Sequence, residues 1–303
     1  MKPYKTLKTI TGKRRSAFTL IEIMVATVVM IVLTGLVIQI TGEVLKVWNR
    51  SSGKLSANAE ARIALDLLTQ DLETAVFRNN EQQWLRVEAP VDPGGNYTNQ
   101  TVALKLFSPA LDRQKFEADG VTPTPGDICG IAYRLAFKES YAGGGNVYAL
   151  YRFIETPSNT FDELMGPSIT TPDVQKSLTG GVWTESSVTD EQNYLASNIV
   201  EFKVILYEDD GSTDPQPVNA NDDGNVTANY FYGGIDGSSL PLYYADITLT
   251  IISGEGLQLM QRVDSDGPSG TGYKGSKSEA TASIVREHGE VFTRRVNFLA
   301  RPI

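Results

Sequence analysis

The chain contains an uncharged apolar run near its N-terminus, from Ile23 to Ile38. With its flanks, the run supplies the roughly 20 apolar residues that a bilayer-spanning helix needs. A helix buried in a soluble core normally carries a polar face, and this run has almost none. A secretory signal peptide has an apolar stretch of only about 7–15 residues that ends at a small-residue cleavage site, and no such site follows this run. We therefore predict a transmembrane segment from Phe18 to Ile40.

Charge is distributed unevenly along the sequence. Residues 1–17 hold six Lys and Arg residues and no acidic residue, so this leader carries +6 and the rest of the chain −15 of the net −9. Basic residues flanking a membrane segment stay on the cytoplasmic side, which places the N-terminus in the cytoplasm. The acidic remainder argues against a nucleic acid partner, because phosphate binding needs surplus Lys and Arg.

Glu22 is the charged residue that stands at the start of the apolar run. A carboxylate inside a membrane costs about 2.5–3.5 kcal/mol on insertion scales, so its position needs a reason. Either Glu22 lies at the membrane interface, or it pairs with a positive group at the same depth. Cleavage between Ala17 and Phe18 would create such a group, an α-amine four residues before Glu22.

The sequence Lys13-Arg-Arg-Ser-Ala-Phe-Thr-Leu-Ile-Glu22 resembles the cleavage and methylation motif of type IV prepilins and type II secretion pseudopilins. In that family a membrane-embedded peptidase removes a basic leader and N-methylates the phenylalanine exposed by the cut. The fifth mature residue, a glutamate, pairs with the N-terminus of a neighbouring subunit. The resemblance implies cleavage between Ala17 and Phe18, methylation of Phe18 and an assembly role for Glu22. Ala17 stands where the family has glycine, and it is a similarly small residue.

The resemblance also implies partners and a location. The partners are the prepilin peptidase, other pilin or pseudopilin subunits and the bacterial inner membrane. The chain would cross that membrane once and expose a head, residues 79–303, to the periplasm, or to the exterior after filament assembly. Length and layout are similar to the larger minor pilins: J-type pseudopilins, W-type minor pilins and the type C prepilin-like cassette proteins of Verrucomicrobia.

Downstream of the apolar run, the sequence predicts an α+β fold in which a long N-terminal helix packs on an antiparallel sheet. Apolar residues recur every three or four positions over residues 55–78, so we predict an amphipathic helix over residues 41–78. This helix would lie along one face of a sheet or between two small sheets. Alternation predicts a hairpin of strands 131–138 and 147–154. Further strands are predicted at 84–88, 101–107, 199–207, 243–252 and 291–299, a short helix at 255–262, and polar loops at 89–100, 155–190, 208–240 and 263–283.

Two acidic loops carry the oxygen-rich side chains that calcium binds, at Asp209 and Asp210 and at Asp222 and Asp223. The same residue types favour solvated turns, and we prefer that interpretation. His288 is the one histidine, in a charged stretch typical of a surface, and we interpret Cys129 as a small buried residue. No cofactor and no enzymatic activity are expected.

Four arginines remain with two open interpretations: Arg134 and Arg152 on the predicted hairpin, and Arg294 and Arg295 near the end. They either contact acidic surfaces of other subunits or occupy ordinary solvent-facing strand positions. The hypothesis that the sequence favours is a minor pilin or pseudopilin that is processed by prepilin peptidase and assembled through its N-terminal helix. The alternative is a membrane-anchored extracytoplasmic binding or adhesin module that uses a pilin-type anchor.

Overall fold

The computed structural model describes residues 19–78, 82–94, 101–110, 128–139, 145–165, 178, 181–234 and 237–298. The fold divides into two compact units, Met1–Asn49 and Arg50–Ile303, which we call the smaller and the larger unit. A long helix, α1 (Leu20–Glu73), contributes residues to both. The protein is therefore α+β with a long, apolar N-terminal helix and antiparallel sheets, as the sequence predicted at that level.

Two antiparallel sheets form the body of the larger unit. In the described part of the chain, their strands are β1 (Gln83–Val91), β2 (Thr101–Ser108), β3 (Cys129–Glu139), β4 (Asn146–Ile154), β5 (Tyr194–Ser197), β6 (Ile199–Glu208), β7 (Tyr230–Gly233), β8 (Leu242–Ile252) and β9 (Gly289–Asn297). The first sheet has the order β5-β4-β3-β2-β1-β7, and the second has the order β6-β8-β9. The predicted hairpin is confirmed as β3 and β4, whose register runs from Ile131 opposite Ile154 to Glu139 opposite Asn146.

Four further α-helices follow α1 in the described residues: α2 (Pro157–Asn159), α3 (Glu185–Val188), α4 (Gly254–Asp266) and α5 (Lys277–His288). The predicted short helix at 255–262 is confirmed as part of α4. The prediction of a loop over 263–283 is wrong, because α5 starts inside it. Ser276 and Glu279 cap the backbone of this helix reciprocally, and this Ser-x-x-Glu spacing is a start signal that the polar composition concealed.

The C-terminal part of α1 buries one stripe of small and aliphatic side chains. Ala61, Ala64, Leu65, Leu68 and Leu72 are all buried, and they belong to one core that includes residues of both sheets. Their spacing of three and four residues aligns them on one side of the helix. The helix ends at Glu73, five residues before the predicted end.

A buried ion pair joins α1 to the first sheet. Nε of Arg152 in β4 donates a hydrogen bond of 2.9 Å to one carboxylate oxygen of Asp71. A terminal guanidinium nitrogen of Arg152 donates another of 2.9 Å to the second oxygen. The hydroxyl of Tyr133 in β3 donates to the same carboxylate at 2.5 Å. The side chains of Asp71 and Arg152 are each only 2% exposed. Burial, and then the Asp71 charge, raise the pKa of Tyr133 well above its usual range, so this tyrosine stays a neutral donor.

The described parts of the chain between β4 and β5, which we call the crossing segment, lie on the other face of the first sheet. Leu164 and Trp183 are buried there, and the Trp183 ring meets Phe153 edge-on at 5.9 Å between centroids. A Cβ atom at Gly130 in β3 would lie 2.7 Å from Leu164 Cδ1 and 2.9 Å from the Trp183 ring. The prediction that residues 155–190 form only a polar loop is therefore wrong in its described parts, because apolar residues spaced along it cover the sheet.

Replacing Asp71 with Ala should lower the free energy of unfolding by about 3–5 kcal/mol, because Arg152 would stay buried without its counter-charge. Asp66, five residues earlier on the same helix, is the matched control. It pairs with Arg294 but is 67% exposed, so Asp66→Ala should cost less than about 1 kcal/mol. Urea unfolding of the full chain in detergent measures both. If both variants lost the same free energy of unfolding, burial of the ion pair between Asp71 and Arg152 would contribute nothing to stability.

Replacing Gly130 with Ala should lower the free energy of unfolding by about 1–3 kcal/mol, because the added methyl group overlaps Leu164 and Trp183. Gly254 is the control, since a Cβ there meets no atom within 4 Å. Gly254→Ala should leave stability unchanged or raise it by up to about 1 kcal/mol. Thermal unfolding of the two variants distinguishes a steric effect from the ordinary effect of removing a glycine.

Candidate functional site

The N-terminal part of α1 is the described segment that is long and apolar enough to cross a membrane. This stretch, Leu20–Trp48, has 29 residues, and none of its most apolar window is buried within the protein. Two of its hydroxyl groups are satisfied within the helix: Thr27 donates to the carbonyl of Met24, and Thr34 donates to that of Met30. These two hydroxyl groups therefore add little unsatisfied polarity for an apolar solvent to meet.

Glu22 takes part in a cap at the first turn of α1. Its carboxylate accepts hydrogen bonds from the backbone N–H of Thr19 at 2.9 Å and from the Thr19 hydroxyl at 3.0 Å. The backbone N–H of Glu22 lies 3.4 Å from the same hydroxyl, which completes the reciprocal pattern of a capping box. The Thr-x-x-Glu spacing signals this cap, which was not among the predictions from the sequence. Ala17 and Phe18, the predicted cleavage residues, lie outside the described residues.

The four arginines singled out from the sequence all bind carboxylates of the same chain. Arg152 contradicts both interpretations, because it faces neither solvent nor another subunit but is buried against Asp71. The other three form more exposed pairs: Arg134 with Glu185 at 2.6 Å, Arg295 with Asp246 at 2.7 Å, and Arg294 with Asp66. The Arg295 guanidinium also lies 3.9 Å from the centroid of the Tyr244 ring. At these four positions, a carboxylate of the same chain therefore already offsets the charge of the arginine.

The two candidate calcium loops form turns stabilised by their own side chains. Asp209 accepts a hydrogen bond from the backbone N–H of Gly211, and Asp210 accepts one from that of Ser212 at 2.8 Å. The bonds from Ser212 lower the pKa of Asp210. Asp222 and Asp223 are exposed. Within the described ranges, no group of three or more His, Cys, Asp or Glu residues converges in a way that would hold a metal ion.

Two further reactive side chains were singled out from the sequence, Cys129 and His288. Cys129 is buried at the start of β3, as predicted. His288 ends α5, and its backbone carbonyl accepts a hydrogen bond from Ser253. The buried Nδ1 of His288 has no hydrogen-bond partner among the described residues.

A buried lysine on the first sheet was not predicted. Lys105 Nζ lies 2.9 Å from a Glu88 oxygen that also accepts a bond of 2.6 Å from Arg86, and it reaches the Leu178 carbonyl at 3.4 Å. Burial lowers the pKa of Lys105, and the hydrogen bond to Glu88 opposes this shift. The group links β1 and β2 to the crossing segment at Leu178, so it stabilises the cover of the sheet.

No protein-family model, no curated protein and no solved structure matches this chain.

Placing an arginine in the middle of the apolar stretch should reduce membrane insertion. Val32→Arg should cost about 2.5–3.5 kcal/mol, because the charge would lie at the bilayer centre. Val47→Arg, near the end of the stretch, is the control, since a long side chain there can extend its charge to the interface. The fraction of full-length chain that resists alkaline extraction from membranes measures the difference. Equal extraction of both variants would argue against a spanning segment.

Proposed function

We propose that this chain is a membrane-anchored subunit of a pilin-like filament, in the manner of a minor pilin or pseudopilin. The observation that carries the proposal is the position of Glu22 at the start of an exposed apolar helix, directly after a basic leader. A helix made only for anchoring could use Glu22 as a cap, but an uncharged glutamine would cap as well and would cost less energy to embed at this depth. A subunit that docks on a neighbour's amine uses that charge.

The steps of assembly follow from the residues. The basic leader keeps the N-terminus in the cytoplasm while residues 18–40 enter the bilayer. Cleavage between Ala17 and Phe18 frees an amine at the end of α1. The apolar side chains of Leu20–Trp48 then leave lipid and pack against the helices of other subunits. Glu22 selects the register of this packing, because only one offset brings its carboxylate to a neighbour's amine.

The design of the larger unit supports the proposal. The same helix that supplies the apolar stretch also supplies Asp71, which is bound to Arg152 inside the body. A filament subunit needs such a connection, because force applied to its body has to reach the helix that holds it. A buried, bidentate ion pair with a third hydrogen bond resists separation of the helix from the sheet.

Processing is tested by the mass of the mature N-terminus after co-expression with a prepilin peptidase. The expected product begins with N-methylated Phe18, and Ala17→Gly should be processed at least as completely as the native chain. A chain that still begins at Met1, or that is cut elsewhere, would remove the main claim.

Assembly is tested with Glu22→Gln, which removes the charge but keeps the capping box, because glutamine also caps from this position. We expect cleavage to continue and filament formation or secretion to be lost. Glu43→Gln, in the same helix near the end of the apolar stretch, is the control and should assemble normally. If Glu22→Gln assembled normally, the proposed role of Glu22 in assembly would be wrong, and an anchored binding module would be favoured.

A further inference from the structure

An open sheet edge in the larger unit has no role in the proposed function. Backbone groups in an antiparallel ladder point alternately to one neighbour and to the other. Phe298, next after β9, donates its N–H to Tyr243 on the β8 side. Alternate residues of β9 therefore turn their N–H and C=O groups away from β8. They are Val291, Thr293, Arg295 and Asn297, and all four are exposed.

The opposite edge of the same sheet is closed by a dedicated side chain. Asn219 is 1% exposed and binds the outer edge of β6. Its amide oxygen accepts a hydrogen bond of 2.9 Å from the N–H of Leu206, and its amide nitrogen donates one of 2.8 Å to the carbonyl of Val204. Val218 donates to the carbonyl of Leu206 at 2.9 Å. The loop that holds Asn219 thus occupies the place of a further strand.

Both edges of the first sheet are also protected. At β5, the side chain of Glu60 accepts hydrogen bonds from the backbone N–H and the hydroxyl of Ser197. At β7, Ser238 donates its N–H to Phe231 and accepts from the N–H of Gly233, each at 2.9 Å. Unpaired strand edges attract other strands, and proteins usually block them. Among the described residues, β9 is the edge without such a block.

We propose that β9 pairs with β9 of a second copy of this chain, so that the two three-stranded sheets become one continuous six-stranded sheet. The chain offers no other open edge in its described residues for a copy to use, which makes the contact self-complementary and twofold. This inference depends on the fold of the larger unit and not on filament assembly.

Strand overlap selects the register of the pair, and charge excludes two of the neighbouring registers. Thr293 is the central residue of the nine-residue strand, so a twofold axis at Thr293 gives complete overlap. This axis places Thr293 of one copy opposite Thr293 of the second copy, and Val291 of each copy opposite Arg295 of the other. An axis at Arg294 or at Arg295 would set that arginine against itself, and like charges directly opposite each other are unfavourable. The favoured register forms about six main-chain hydrogen bonds between Val291, Thr293 and Arg295 of the two copies.

The size of the contact predicts a weak pair. One strand added edge to edge buries less than the roughly 1,200 Å² of a stable interface, so the pair should form only where chains are concentrated, as in a membrane. The larger unit holds 20 Lys and Arg residues against 34 Asp and Glu residues, a net charge of −14. Two copies therefore repel each other at long range, and salt should strengthen the pairing by screening this repulsion.

Cysteine cross-linking of the full chain in lipid vesicles tests the proposal. The native Cys129 is buried and is common to all variants. Under oxidation, Thr293→Cys should give roughly tenfold more covalent dimer than Thr248→Cys, which lies directly opposite Thr293 on the central strand β8. The yield should rise with ionic strength. Equal yields from both variants would mean random collision through the membrane segment and would overturn the proposal.

A mixed experiment tests the register. Chains carrying Val291→Cys and chains carrying Arg295→Cys should cross-link with each other when mixed, while each alone stays at background. Adding Thr293→Pro to both should abolish this cross-link, because proline removes an outward N–H at an edge position that tolerates it. Circular dichroism checks that the proline variants fold. If they do not, the cross-linking pattern alone decides, and a cross-link from either single chain contradicts the register.

Discussion

The buried carboxylate of Asp71 organises the larger unit, because a buried charge is costly unless it is paired and hydrogen-bonded, as it is here by Arg152 and Tyr133. Three elements that are distant in sequence, α1, β3 and β4, must meet in one arrangement to satisfy it. An apolar stripe alone would let a helix slide or rotate on a sheet at small cost. A bidentate ion pair allows no such slippage, since an offset of one residue leaves a charge unpaired in a medium of low polarity.

Regular patterns in the sequence predicted the regular elements. The spacing of Ala61, Ala64, Leu65 and Leu68 predicted the buried side of α1, and the alternation around Tyr133 predicted β3. Predictions from the sequence were wrong or missing where contacts between residues distant in sequence determine which side chains are buried. Arg152 lies in a half-buried pattern that allows either face, and only its opposition to Asp71 shows that it is buried. Leu164, Leu178 and Trp183 stand in a polar stretch without periodicity, so their role in covering a sheet could not be read from neighbours.

For Glu22, too, part of the evidence was visible in the sequence and part came only from the structure. The position of Glu22 beside an apolar run was visible in the sequence, whereas its hydrogen bonds with Thr19 became evident from the helix geometry. These bonds give the carboxylate a structural use before any partner arrives. A substitution at Glu22 therefore has two effects, on the helix start and on charge, and glutamine distinguishes them. The acidic loops at Asp209 and Asp222 show the opposite case, since local turn chemistry accounts for residue types that also suit a cation.

The wide sequence separation of the contacts of α1 has a consequence for biosynthesis. Asp66 is 228 residues from its partner Arg294, and Asp71 is 81 residues from Arg152. A ribosome therefore releases the helix well before the strand that holds Arg294. During that interval the apolar stripe of α1 has no complete cover, and the emerging chain is open to aggregation. Attachment of the nascent chain to a membrane through its first apolar stretch would keep such chains apart while the sheets are completed.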